Sequence, residues 1–312
     1  MGIAFCLFPN LKDKPMFSPA NAAHFTLRIP AVRNDFKVLA FDGFETISDL
    51  YAIEVELVSE YPDFDLESLL SQPAFLAFGL KGEGIHGRIE DVRIGEPGGR
   101  LTGYHLRLVP ALHYLQFSFN QRIFQQMTAP QIIAHVFKQH GILADAYTLR
   151  VSASVERDYC TQYGESDFGF IQRLCAEDGI AWHHQHSPDG HHLVFTDDQT
   201  GFSKLGATSY LQDCGMAADH PVVSKFSMRL STRTSSTTRR HYNFKRPTLL
   251  RESQFDAPFK PALEDYRYPQ PFENNKHANC LPGRPLSDTA SITRLLRVRA
   301  ISRFCAAATF SS

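Results

Sequence analysis

No C-x-x-C pair, no G-x-S-x-G elbow and no long apolar run occurs in this sequence. Each absence removes a class of protein. The cysteines, Cys6, Cys160, Cys175, Cys214, Cys280 and Cys305, stand far apart, which excludes a short disulfide framework. They read as reduced thiols of a chain folded in the cytoplasm. Without the elbow the sequence shows no hydrolase-type nucleophile motif. No stretch approaches the ~20 apolar residues that a membrane helix needs, so stable membrane insertion is not expected. Residues 1–6 lack the basic region and small-residue cleavage site of a signal peptide, and Cys6 stands where myristoylation needs Ser or Thr. The net charge of −1 supplies no global field for nucleic acid or an anionic membrane. Tryptophan is almost missing, at one residue against 25 phenylalanines.

What is present is enough apolar matter for a substantial core, 43% of 312 residues, in a β-favouring pattern. Residues 1–20 have no sustained period and are expected to form a flexible leader. Phe25, Leu27 and Ile29 then alternate with Thr26 and Arg28, and residues 51–58 alternate as cleanly. A short helix is expected over 63–71, and strands over 75–80, 85–94 and 101–109. Gly95-Glu96-Pro97-Gly98-Gly99 supplies the turn between the last two. Strands tied this closely point to a barrel or sandwich.

The second half opens on a helix. Thr128 and Gln131 make a capping box with Pro130 in the first turn, Ile132, Ile133, Val136 and Phe137 form the buried face, and Gly141 ends it. Residues 159–186 then read as strand, helix, strand. Tyr159, Thr161 and Tyr163 alternate with Cys160 and Gln162, Ser166 caps, and Asp167 sits in the first turn, where the helix dipole favours a carboxylate. Phe168, Ile171, Leu174 and Cys175 make one apolar stripe, and Gly179 is the left-handed stop. Ser187-Pro188-Asp189-Gly190 is a turn, so 180–186 and 191–197 are expected to pair as a hairpin.

Four features invite a chemical reading. Around the hairpin turn, the two-residue period puts His184 and His186 on one face with His191 opposite His186, a set that could meet a transition metal. The competing reading is a hairpin tip with solvated histidines, and no metal ligand is assigned. Gly82-Glu83-Gly84-Ile85-His86-Gly87 matches G-x-G-x-x-G, but a strand follows where a dinucleotide site needs a helix, so it reads as a turn. Glu165, Asp167, Glu177 and Asp178 are expected to bias the helix start and decorate its exposed face rather than act as a catalytic pair. Residues 221–251 hold eight Lys or Arg and no acid, with no nucleic-acid motif to frame them, and are expected to be a solvated face or a protein interface. No catalytic residue and no cofactor is predicted.

The residues in order also carry a resemblance. The phrase QYGESDFGFIQRLCAEDGIAW, the His-rich hairpin ending LVFTDD, the earlier NQRIFQ before the capped helix, FDGFETISDLYAIEVELVSE, IHGRIEDV and HYNFKRP resemble the VgrG spike proteins of bacterial type VI secretion, over roughly 25–273. Their N-terminal region is similar to the central hub of tailed-phage baseplates. The resemblance implies a mainly β (α+β) fold with a few helices and two β-barrel-like subdomains, at 21–118 and 119–273. It implies a homotrimer that docks on the hexameric Hcp tube, meets baseplate components and effector or adaptor proteins, and is secreted through the contracting machine after cytoplasmic assembly. Phe168, Ile171, Leu174, Asn120, Arg122 and Phe124 are expected to serve packing or interfaces. The family pattern stops near Glu273. Residues 274–312 are expected to be a divergent, disordered tail, and the chain a hub truncated before the family's needle. The alternatives are a prophage tail hub of the same architecture, a zinc enzyme built on the histidine hairpin, and nucleic-acid binding by the basic stretch.

Overall fold

Six strands wrap into a nearly closed antiparallel sheet in the first part of this computed structural model. They are β1 (Phe25–Arg28), β2 (Lys37–Phe44), β3 (Ala52–Ser59), β4 (Pro73–Phe78), β5 (Gly84–Gly98) and β6 (Leu101–Val109), in the order β1-β4-β5-β6-β3-β2. The alternation that predicts β3 also sets its faces: Ile53, Val55 and Leu57 turn inward, Glu54 and Glu56 outward. The end strands meet through aromatic rings. Phe25 stands edge-on to Phe41 at 5.2 Å, and Phe41 stacks on Phe78 at 5.5 Å. Tyr51, Leu76, Ile89, Tyr104 and Leu106 fill the interior, each side chain contributing about 1.5–3 kcal/mol on burial.

The structure describes residues 25–30, 36–60, 64–78, 83–98, 101–152, 154–202, 222–229, 234–242, 248, 251–256, 263–268 and 295–301. The expected leader lies outside them. Two local expectations are corrected. The helix expected over 63–71 is a single 3-10 turn, Glu67–Leu69, preceded by Asp65, whose carboxylate accepts from the Glu67 and Ser68 amides. The turn expected at 95–99 is displaced. β5 runs on to Gly98, absorbing the Gly-Glu-Pro stretch as a register shift between Ile94 and Pro97 opposite β6.

A second core follows. A 3-10 helix (Ala111–Phe117) leads into β7 (Phe119–Met127), α1 (Ala129–Gln139), β8 (Tyr147–Arg150), β9 (Arg157–Ser166), α2 (Asp167–Asp178), β10 (Ala181–Ser187) and β11 (Gly190–Thr196). The capping box forms as expected: Thr128 Oγ1 accepts from Gln131 N, and Gln131 Oε1 accepts from Thr128 N. Gly179 takes the left-handed C-cap at φ 66°. β7 and β9 pair as an antiparallel ribbon, and β8 joins the β10–β11 hairpin in parallel to β11. Ile132, Val136, Phe170, Leu174, Trp182 and Phe195 pack between these elements. Leu50 belongs to this second core, whereas its chain neighbour Tyr51 belongs to the first. Cys160 and Cys175 are both free and buried, and burial raises both thiols. Neither is an activated nucleophile.

Farther along, β12 (Val222–Arg229) pairs with β16 (Leu295–Ile301). β13 (Ser236–His241) lies between β14 (Arg251–Asp256) and β15 (Glu264–Arg267). Within the span read as a divergent tail, β16 is thus a strand, and the rest of that span lies outside the described residues. Among the described residues no helix is long and apolar enough to cross a membrane.

Candidate functional site

Two features of the fold are not explained by packing alone: a cluster of histidines where the cores meet, and an apolar face that none of the described residues covers. The hairpin register pairs His186 with His191, as its turn requires, and leaves His184 on the same face. That face meets β5. His86 N donates to His186 Nδ1 at 3.3 Å, and the Nδ1 atoms of His86 and His191 lie 2.9 Å apart. Ala111 N donates to His191 Nε2 at 3.0 Å, and His186 Nε2 lies 3.1 Å from Glu45 Oε1. Tyr51 stands at the centre, edge-on to the rings of His184 and His186, and its hydroxyl donates to the His86 carbonyl at 2.5 Å. His184 is buried with both ring nitrogens unpartnered. Burial lowers the pKa of His86 to about 4 and of His191 to about 3; repulsion from His186 and Arg88 adds to both, and His86 adds to the shift of His191.

The helical module rests on a second buried network. Asp167 is fully buried at the start of α2 and accepts from Gln162 at 2.7 Å, from Arg122 on β7, and pairs with His140 at 2.6 Å. Burial pushes its carboxyl up, but the hydrogen bonds from Gln162, His140 and Arg122 outweigh it and hold the group below its ordinary range. At the other end of the helix Asp178 is also buried, held by Arg157 at 2.7 Å and by Ser154 at 2.8 Å. These two carboxylates therefore do not decorate an exposed face as expected. They sit inward because a guanidinium reaches each of them.

The β7–β9 ribbon turns Phe124, Cys160 and Gln162 toward the helices and leaves its other side bare. Phe119, Ile123, Tyr159 and Tyr163 on that side are 69%, 66%, 70% and 77% exposed. A soluble surface seldom groups such residues without a partner.

The phage tail baseplate hub (GPD) family matches residues 44–311. This chain belongs to it. The type VI secretion system spike protein VgrG4b of Pseudomonas aeruginosa is 50% identical over 286 residues, covering 90% of this hub and 35% of that protein. The hub thus spans about a third of the length of the curated relatives it matches. A solved type VI component, the E. coli c3393 protein, superposes with a TM-score of 0.58 at 24% identity, over 66% of this chain and 56% of that one. A tail protein from Neisseria meningitidis MC58 gives 0.58 at 14% identity, over 85% and 76%. Both likenesses concern the fold.

Against the hub fold, the residues singled out in the sequence fall into three groups. Phe124, Ile171 and Leu174 are buried in the second core, with Phe124 stacked on Phe170 at 5.7 Å. Phe168 is only half-buried, against Trp182, and Phe170 takes the fully buried place in the stripe instead. Arg122 serves the Asp167 network, while Asn120 is exposed on the ribbon, opposite Glu165. His184, His186 and His191 do come together, but facing β5 rather than solvent. Among the described residues no group of three or more His, Cys, Asp or Glu could hold a metal ion. In the basic stretch Arg239 is buried and pairs with Asp265 at 2.8 Å, and Arg240 faces Glu252. At Arg239 the expected solvated face is instead a buried ion pair, Arg240 is exposed as expected, and much of the stretch lies outside the described residues. The sequence reading missed Glu45, Tyr51 and His86, each of which meets the hairpin histidines a hundred or more residues away.

Proposed function

We propose that this hub is the docking platform of a type VI secretion spike. It is a non-catalytic homotrimer that seats on the hexameric Hcp tube, meets baseplate components, and leaves the cytoplasm with the tube when the sheath contracts. Effectors or their adaptors travel on it. The observation that carries this reading is the 50% identity to a type VI spike protein over 90% of the chain. The bare ribbon face supports the trimer: a closed ring of three copies would cover Phe119, Ile123, Tyr159 and Tyr163 on each. The phage-tail reading shares the hub family, but the tail proteins of solved structure are no more than 16% identical and speak to fold alone, whereas the spike protein is 50% identical.

Light scattering on the purified chain, alone and mixed with Hcp from the same genome, tests the proposal. The expected particle has three times the 35.2 kDa protomer mass and co-elutes with Hcp. An Ile123→Asp, Tyr163→Asp variant, altered only at exposed positions, is expected to stay folded and fail to trimerise. A wild-type chain that remains monomeric at tens of micromolar and ignores Hcp overturns the proposal.

A further inference from the structure

The hydrogen bonds at the histidine cluster fix its protonation state. Backbone amides can only donate, so His186 Nδ1, facing the His86 amide, and His191 Nε2, facing the Ala111 amide, must both be bare acceptors. His191 then carries its proton on Nδ1 and donates it to His86 Nδ1, which must be bare in turn. His186 carries its proton on Nε2 and donates to Glu45. Every ring in the chain of contacts is neutral, with one tautomer each. One added proton breaks it: on His191 it sets N–H against the Ala111 N–H, and on His86 it sets N–H against the His191 N–H. His184, sealed behind them with no partner for either nitrogen, has nothing to stabilise a charge.

We propose that this cluster is an acid-released latch, holding the β10–β11 hairpin against the first sheet while its rings are neutral and letting it go when they take up protons. The charged and titratable groups around it do not rescue the protonated form. The first sheet presents Arg88 beside His86, which opposes a second positive charge. Tyr51, at the centre, is raised well above its ordinary value, first by burial and then by Glu45. Glu45 is engaged by His186 Nε2. From the hairpin come His183, itself lowered by burial, and Asp189, whose attraction for His86 is outweighed by burial, His186 and Arg88.

The sign follows from proton counting. Released rings titrate near the ordinary 6.5, whereas the closed joint holds His86 near 4 and His191 near 3, so the released form binds more protons and gains as pH falls. With two such rings, the released-to-closed ratio is expected to rise at least about a hundredfold between pH 7 and pH 5.

The single tryptophan reports on the joint directly. Trp182 lies on β10, fully buried, 5.5 Å ring to ring from His184. Its emission in the full-length chain is expected to shift to the red reversibly between pH 7 and pH 5. A His86→Gln, His191→Gln variant, which keeps side-chain acceptors without the titration, is expected to flatten that response. Hydrogen exchange on the wild type at both pH values, corrected for intrinsic rates, guards against a variant that does not fold. Exchange in 84–98 and 181–196 is expected to rise at pH 5 while α1 stays protected. No emission shift in the wild type, an unchanged shift in a folded variant, or a rise that includes α1 equally, overturns the latch.

Discussion

Asp167 shows how one side chain can organise a module. It starts a helix, where its charge suits the dipole, yet its larger role is to neutralise Arg122 and to receive Gln162 and His140 in a place water does not reach. Asp167→Ala leaves a guanidinium and two polar groups without their acceptor, and is expected to cost about 3–5 kcal/mol in urea denaturation at pH 7. The pH dependence has a definite sign. Because the folded carboxyl is held below its ordinary range, its contribution is complete above the ordinary ~3.9 and is lost as pH falls through the lower folded value. The gap between wild type and variant should therefore be constant from pH 7 to 5 and close under stronger acid. The sequence marks Asp167 as a first-turn acid and says nothing of its burial, since Arg122 lies 45 residues earlier. Asp178 was hidden in the same way, with Arg157 21 residues off.

At the scale of elements, local chemistry was legible wherever partners are near in sequence. The Thr128 capping box, the Gly179 stop and the pairing of His186 with His191 each depend on a few adjacent residues, and each appears as read. The stripe on α2 was legible only in part, because Phe168 and Phe170 both satisfy a helical period and the choice between them is tertiary. Phe170 stacks on Phe124, while Phe168 reaches only the rim of Trp182. Truncation should tell them apart. Leu174→Ala and Phe170→Ala are each expected to lose about 2–5 kcal/mol, as large-to-small changes at fully buried sites, and Phe168→Ala markedly less. Chemical denaturation of the three variants ranks them, and a loss at Phe168 equal to the others would contradict this account of the stripe. Which face of the β7–β9 ribbon is buried was not legible. Tyr159 and Tyr163 look like the interior set by composition, yet the helices take Cys160 and Gln162.

The whole molecule couples a barrel-like sheet to a helix-bearing module, and the histidine cluster is one place where they are joined. Another is the chain itself at residues 50 and 51. Successive side chains in an extended segment point to opposite sides, so Leu50 enters one core and Tyr51 the other. A single peptide group is thus anchored on both sides, with Ser48 close by: its amide donates to the Trp182 carbonyl, and its hydroxyl accepts from the Trp182 amide. Melting of either core therefore frees a residue whose chain neighbour is packed in the other. Heat should then find one transition where two would be expected from the architecture. Scanning calorimetry at pH 7.5 is expected to give a van't Hoff enthalpy equal to the calorimetric one across the two cores. At pH 5 the ratio should fall below one, as the two halves begin to melt apart. A chain whose parts share their fate in neutral solution, and separate it in acid, carries its cooperativity as an adjustable property.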